Sequence, residues 1–102
     1  MRGQSHDMVQ LLTPEGERVH NEGFEFTGST EDLVGYLRDM ILARRFDAEA
    51  TALQRHGELG LWTPLIGQEA AQVGSAHALR PADVVFPSYR EHAVAMVLGV
   101  PL

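Results

Sequence analysis

Two clusters of residues in this chain could do chemistry. The first is Ser88-Tyr89-Arg90-Glu91, which follows the apolar run Asp83-Val84-Val85-Phe86-Pro87. The run reads as a short strand, and Ser88 with Glu91 reads as the start of a helix. An arginine in the first turn after a strand-to-helix loop makes an anion site. Helix N-terminal N–H groups and the macrodipole favour a phosphate there, and a guanidinium adds five donors and a permanent charge. The second cluster is the loop Leu61-Trp62-Thr63-Pro64-Leu65-Ile66, apolar and aromatic, which suits the wall of a small-molecule pocket. Taken alone, Arg90 could equally be an ordinary arginine in a helix's first turn, and Trp62 could simply pack under the helix that follows.

Other ionisable groups speak less. Glu69 stands in the first turn of the helix opened by Gly67-Gln68, where the dipole accounts for a carboxylate without catalysis. His77 and His92 are read as structural or solvent-facing. No spacing of His, Asp and Glu makes a metal site, so no metal ligand is assigned.

Three helices and one strand must position these clusters. The first helix is expected over 30–56, capped by Ser29 with Asp32 three residues on, and stopped by Gly57. Leu33, Leu37, Met40/Ile41, Arg44 and Ala48 form one stripe; Leu42, Phe46, Ala50 and Leu53 form a neighbouring one. Two apolar faces imply a helix packed from two sides. The second helix, over 68–79, carries Ala70, Ala71, Val73, Gly74, Ala76 and Ala78, small enough to let another backbone close in. The third, over 89–98, begins with a second capping box, Ser88 and Glu91, and ends at Gly99. Residues 83–87 supply the strand.

Residues 1–28 form an extended acidic arm with a turn at Thr13-Pro14-Glu15-Gly16 and a possible short strand at Val9–Leu12. The 102 residues carry 14 acids against 8 basic residues, all of them Arg, and seven of the acids fall in the first 32 positions. That balance excludes the basic stripe of a nucleic-acid binder and argues against a membrane-surface role. With no cysteine, a disulfide framework and a Cys-based zinc site are excluded. The N-terminus lacks a secretory signal, and the longest apolar run, 93–102, is too short to span a bilayer. A cytoplasmic protein is expected. The chain stops in an apolar stretch at Gly99-Val100-Pro101-Leu102 and reads as cut. It is expected to be mainly α as it stands, and 29–102 to be an incomplete domain that folds poorly alone.

From Leu33 to Leu102 the sequence resembles the N-terminal part of the alpha subunit of thiamine diphosphate-dependent 2-oxo acid dehydrogenases. The resemblance rests on four pieces in order: Tyr36-Leu37-Arg38-Asp39-Met40 with Arg44-Arg45-Phe46-Asp47; Gly67-Gln68-Glu69-Ala70; Ala78-Leu79-Arg80-Pro81-x-Asp83; and Ser88-Tyr89-Arg90-Glu91-His92-Ala93. It implies the N-terminal portion of an α/β thiamine diphosphate-binding fold. It also implies that Tyr89 and Arg90 hold the cofactor's diphosphate, and that Leu61, Trp62 and Ser88 shape the oxo-acid pocket. Thr63 departs from the histidine or tyrosine found near this point in many relatives. The catalytic glutamate would come from a beta subunit, so no catalytic residue is expected here. The Gly-Asp-Gly motif that supplies magnesium ligands has no match in these residues. The implied partners are the beta subunit, in an alpha2beta2 assembly, and a lipoyl-bearing acyltransferase core. The rival reading is a truncated, non-catalytic helical module that keeps only subunit-packing surfaces.

Overall fold

In a computed structural model, residues 8–102 are described; the first seven residues of the expected arm lie outside them. Three helices pack mutually: α1 (Thr30–Arg55), α2 (Glu69–His77) and α3 (His92–Val97). No helix of the described residues is long and apolar enough to cross a membrane.

The expected capping box starts α1. Ser29 Oγ accepts from the Asp32 N–H at 3.1 Å, and Asp32 Oδ2 accepts from the Ser29 N–H at 2.8 Å. At the other end Gly57 takes φ +78°, the left-handed conformation that glycine adopts without Cβ strain. This lets Glu58 N–H reach Leu53 O at 2.9 Å and Gly57 N–H reach Gln54 O at 3.1 Å, satisfying two of the last carbonyls.

The buried face of α1 keeps Ala50 of the second expected stripe, and Met40 of the first packs beside it, but most of both stripes lies elsewhere. Ala43, Asp47 and Ala50 are buried, and Tyr36 and Met40 pack beside them, at steps of four and three residues. Leu33, Leu37, Ile41, Leu42 and Leu53 are all exposed. Alanine at 43 leaves room for Val73 of α2 and Ala93 of α3 to come close to the α1 backbone, which a larger residue would prevent. Ala43, Leu65, Val73 and Ala93 form the centre of the core, each 1% exposed. One residue from every helix therefore meets one residue of the loop 61–66.

The second helix is shorter than 68–79 and buries Val73 and Ala76, along with Glu69 and Gln72. Ala70, Ala71, Gly74 and Ala78 of the expected small-residue face are exposed. The third begins at His92, not Tyr89. The expected box there is half made: the Ser88 N–H donates to Glu91 Oε2, but no side chain caps the helix. The reason lies at Arg90, whose carbonyl accepts from Gln72 Nε2 at 3.1 Å and from the His92 N–H at 2.9 Å. In a helix starting at Tyr89 the His92 N–H would donate to the Ser88 carbonyl; here it turns to Arg90 instead, and the first turn does not close. Gly99, at φ +93°, closes α3, with Gly99 N–H on Met96 O and Val100 N–H on Ala95 O, both at 3.0 Å.

The expected strand at 83–87 does not form. The segment pairs with nothing among the described residues, and Val84 and Phe86 are 76% and 93% exposed. A strand needs a neighbour to receive its N–H and C=O groups. The one bridge among the described residues, Leu12 with Arg18, is in the arm. It closes a small hairpin on the expected turn, with Gly16 N–H on Thr13 O at 3.0 Å and Thr13 N–H on Glu17 O at 2.8 Å. The arm meets α1 where Phe26 sets its ring edge against Tyr36, 6.2 Å between centroids.

Candidate cofactor and substrate site

The loop 61–67 has no regular structure, so its N–H groups need acceptors from elsewhere. Two buried carboxylates supply them. Asp47, in the middle of α1 and 4% exposed, accepts from Trp62 Nε1 at 3.0 Å and the Leu65 N–H at 2.9 Å on Oδ1, and from the Ile66 N–H at 3.2 Å on Oδ2. Glu69, at the start of α2 and 6% exposed, accepts from the Gly67 N–H at 2.9 Å and from Arg44 Nε at 2.7 Å. The bond to Arg44, aided by the Gly67 N–H and the Arg44 charge, holds the Glu69 carboxyl below the usual glutamate range against the opposing effect of burial. The first-turn dipole expected for Glu69 is therefore joined by a specific partner on α1.

Trp62 is half-buried between α1 and α3, not under α2. Phe46 meets its ring edge-on at 5.4 Å, and His92 stacks on it at 4.0 Å with 17° between planes. His92 Nε2 also lies 3.3 Å from Thr63 O. The structural role read for His92 is thus concrete, and so is that of His77. Its Nε2 is 2.7 Å from Asp39 Oδ2, and its ring lies 4.8 Å from that of Tyr36. Phe46, Trp62, His92, Ala95, Met96 and the terminal Val100-Pro101-Leu102 line a cavity of about 180 Å³. Leu61, directly before Trp62, is 87% exposed.

Arg90 is half-buried, and its Nη1 donates to Pro64 O, so the guanidinium is tied to the same loop. Tyr89 is 73% exposed, with the Arg90 guanidinium carbon 5.7 Å from its ring centroid. The backbone beneath the pair is fixed by Gln72, 4% exposed. Its amide donates to Arg90 O and accepts from the Ala93 N–H at 3.1 Å. Ser88 is exposed; its side chain and then its N–H, which donates to Glu91 Oε2, lower the Glu91 carboxyl from its usual range. The structure therefore joins Trp62 and Arg90 through the loop 62–66 and sets Tyr89 beside Arg90. It leaves Leu61 and Ser88 open to solvent. Among the described residues no group of three His, Cys, Asp or Glu could hold a metal ion.

Sequence reasoning missed Asp47 and Gln72. The signal for Asp47 was present: an acid between Ala43 and Ala50 at helical spacing sits on the small-residue seam, and a buried carboxylate requires donors.

Residues 37–102 match the family described as the dehydrogenase E1 component. The chain belongs to this family. The 3-methyl-2-oxobutanoate dehydrogenase subunit alpha of Mycobacterium tuberculosis (strain ATCC 25618 / H37Rv) is 44% identical over 93 residues, 91% of this chain and 25% of that protein. The pyruvate dehydrogenase E1 component subunit alpha of Staphylococcus epidermidis (strain ATCC 12228 / FDA PCI 1200) is 36% identical over 96 residues, 94% of this chain and 26% of that protein. The corresponding subunit of Staphylococcus aureus (strain COL) is likewise 36% identical over 96 residues. The chain spans about a quarter of the length of these E1 relatives. No solved structure gives a significant match. The matched region holds the loop 61–67, the carboxylates of Asp47 and Glu69 and the pair Tyr89 and Arg90.

Proposed function

We propose that this chain is the N-terminal part of the alpha subunit of a cytoplasmic 2-oxo acid dehydrogenase. The whole enzyme would oxidatively decarboxylate pyruvate or a branched-chain 2-oxo acid with thiamine diphosphate. It would then pass the acyl group to a lipoyl-bearing acyltransferase. A beta subunit would complete an alpha2beta2 assembly, and magnesium would be held by residues outside these 102. The domain 29–102 is incomplete on this reading, the arm 1–28 lies ahead of it, and these residues alone are inactive.

The observation that carries the reading is the bond from Arg90 to Pro64. It links the pair Tyr89 and Arg90, suited to a diphosphate, to the loop of Leu61 and Trp62, suited to an apolar oxo-acid side chain. The donor chemistry fits the cofactor. Among the described residues one guanidinium N–H of Arg90 has a partner, and the exposed Tyr89 hydroxyl offers a further neutral donor. When bound, thiamine diphosphate supplies the nucleophilic carbon and the electron sink for decarboxylation. Arg90 orients the diphosphate end through a guanidinium whose plane Pro64 constrains. Trp62, with Leu61 and Ser88, would shape the side that receives the oxo acid.

The test uses the complete subunit assembled with its beta partner. Arg90→Ala should weaken thiamine diphosphate binding by about 2–3 kcal/mol, the upper range for a charged donor, or on the order of 30- to 150-fold in Kd. Calorimetry showing unchanged affinity would remove Arg90 from the site.

A further inference from the structure

Asp47 holds more of the loop than folding demands. The N–H of Leu65 needs an acceptor, because Leu65 is fully buried; Ile66, on the same carboxylate, is exposed. The indole of Trp62 does not need one. It is half-buried, and its single N–H could donate to water, yet it bonds to Asp47 Oδ1 at 3.0 Å. That bond, the Phe46 edge and the His92 stack fix the ring on three sides. A planar side chain with two torsions, held at its polar end and on a face, keeps one orientation.

We propose that Asp47 is a positioning residue for substrate choice: by holding the Trp62 indole it sets the shape of the oxo-acid pocket and so selects between small and branched side chains. This rests on the reading of Trp62 as a pocket residue. Asp47 lies on the core side of the loop and acts on substrate only through Trp62. Asparagine keeps its volume, but any bonds its amide oxygen retains in the place of Oδ1, the indole's included, lose the carboxylate's charge and weaken. It places an N–H donor in the position of Oδ2, opposite the Ile66 N–H, or, if rotated, opposite the indole. Either arrangement loosens the loop without emptying the core.

The experiment compares wild type, Asp47→Asn, Trp62→Phe and the double variant in the complete subunit assembled with its beta partner. Each is assayed on pyruvate and on 3-methyl-2-oxobutanoate. Asp47→Asn should change the ratio of the two kcat/KM values on the order of 10-fold, the scale set by a few apolar contacts, with thiamine diphosphate affinity nearly unchanged. Trp62→Phe removes the indole donor while leaving both backbone bonds to Asp47, and it should change the ratio by itself. In the Trp62→Phe background, Asp47→Asn should add much less change than it makes in wild type. The indole N–H of Trp62 should also exchange faster with solvent in Asp47→Asn. Equal loss on both substrates, or a change in ratio that is undiminished in the Trp62→Phe background, would overturn the assignment. So would indole exchange that Asp47→Asn leaves unaltered, whatever the assembly's activity. A wild-type assembly that decarboxylates no 2-oxo acid would overturn the proposed function instead, and the exchange measurement would still decide whether Asp47 holds the indole.

Discussion

Residues 61–67 and residues 83–87 are both short, apolar and irregular, yet the molecule treats them in opposite ways. The first loop gives the N–H groups of Leu65, Ile66 and Gly67 to buried carboxylates, its Pro64 carbonyl to Arg90, and Leu65 to the core. The second begins with a tight turn, Arg80 N–H on Asp83 Oδ2 at 2.7 Å, and then offers Val84 and Phe86 to solvent. Apolar content is similar in the two; the destination of the backbone polar groups is not. A loop is fixed where its donors find acceptors on a neighbouring helix, and hydrophobicity alone does not fix it.

Four substitutions in the complete subunit sharpen or break this contrast, with amide hydrogen exchange as the local readout. The largest effect belongs to Asp47→Ala. Three donors lose their acceptor at about 1 kcal/mol each, so Leu65 and Ile66 should exchange on the order of 100-fold faster. Gln72→Ala comes next, at about 2 kcal/mol, because it leaves the Ala93 N–H without its acceptor; Ala93 exchange reports it. Unchanged protection in either variant would mean that packing, not the buried acceptor, holds the segment.

Glu69→Gln should act more weakly, since Arg44 is exposed and solvent screens the pair. Its sign with pH is fixed. Arg44 depresses the folded-state value of Glu69, so the stabilisation is present above the ordinary glutamate value of about 4.3 and is lost as pH falls through the depressed one. Gly67 protection, corrected for intrinsic exchange, should therefore drop on acidification in wild type and stay flat in Glu69→Gln. Smallest is Phe86→Ala, expected within about 0.5 kcal/mol for an exposed side chain. A larger loss would show that other parts of the enzyme cover residues 83–87, and the contrast between the loops would close.

Local signals in the sequence were read well. The Ser29–Asp32 box, the stops at Gly57 and Gly99 and the turn at 13–16 all depend on residues within five positions of one another, and all formed as expected. Features decided by distant partners were misjudged. Ala50 lies on an expected stripe of α1 and is buried, but the leucines and Ile41 of both stripes face solvent, and the seam against α2 and α3 runs through Ala43 instead. The start of α3 moved from Tyr89 to His92 because Gln72, eighteen positions before Arg90, takes the Arg90 carbonyl. The strand at 83–87 had strand composition but no neighbour. At the site, Arg90 and Trp62 were visible by residue type; the groups that orient them, Asp47 and Gln72, were hidden because a polar residue's burial is set by the surrounding fold.

Leu61 shows what such anchoring allows. It stands almost wholly in solvent immediately before a residue whose ring is held by Asp47, Phe46 and His92. Ordering a free residue's backbone costs about 1–2 kcal/mol, a loss this loop has already taken on folding. Whatever group comes to cover Leu61 therefore gains the burial of a leucine side chain, about 1.5–3 kcal/mol, with little of it offset by the ordering of a flexible loop. The loop is a rigid apolar contact made ready in advance.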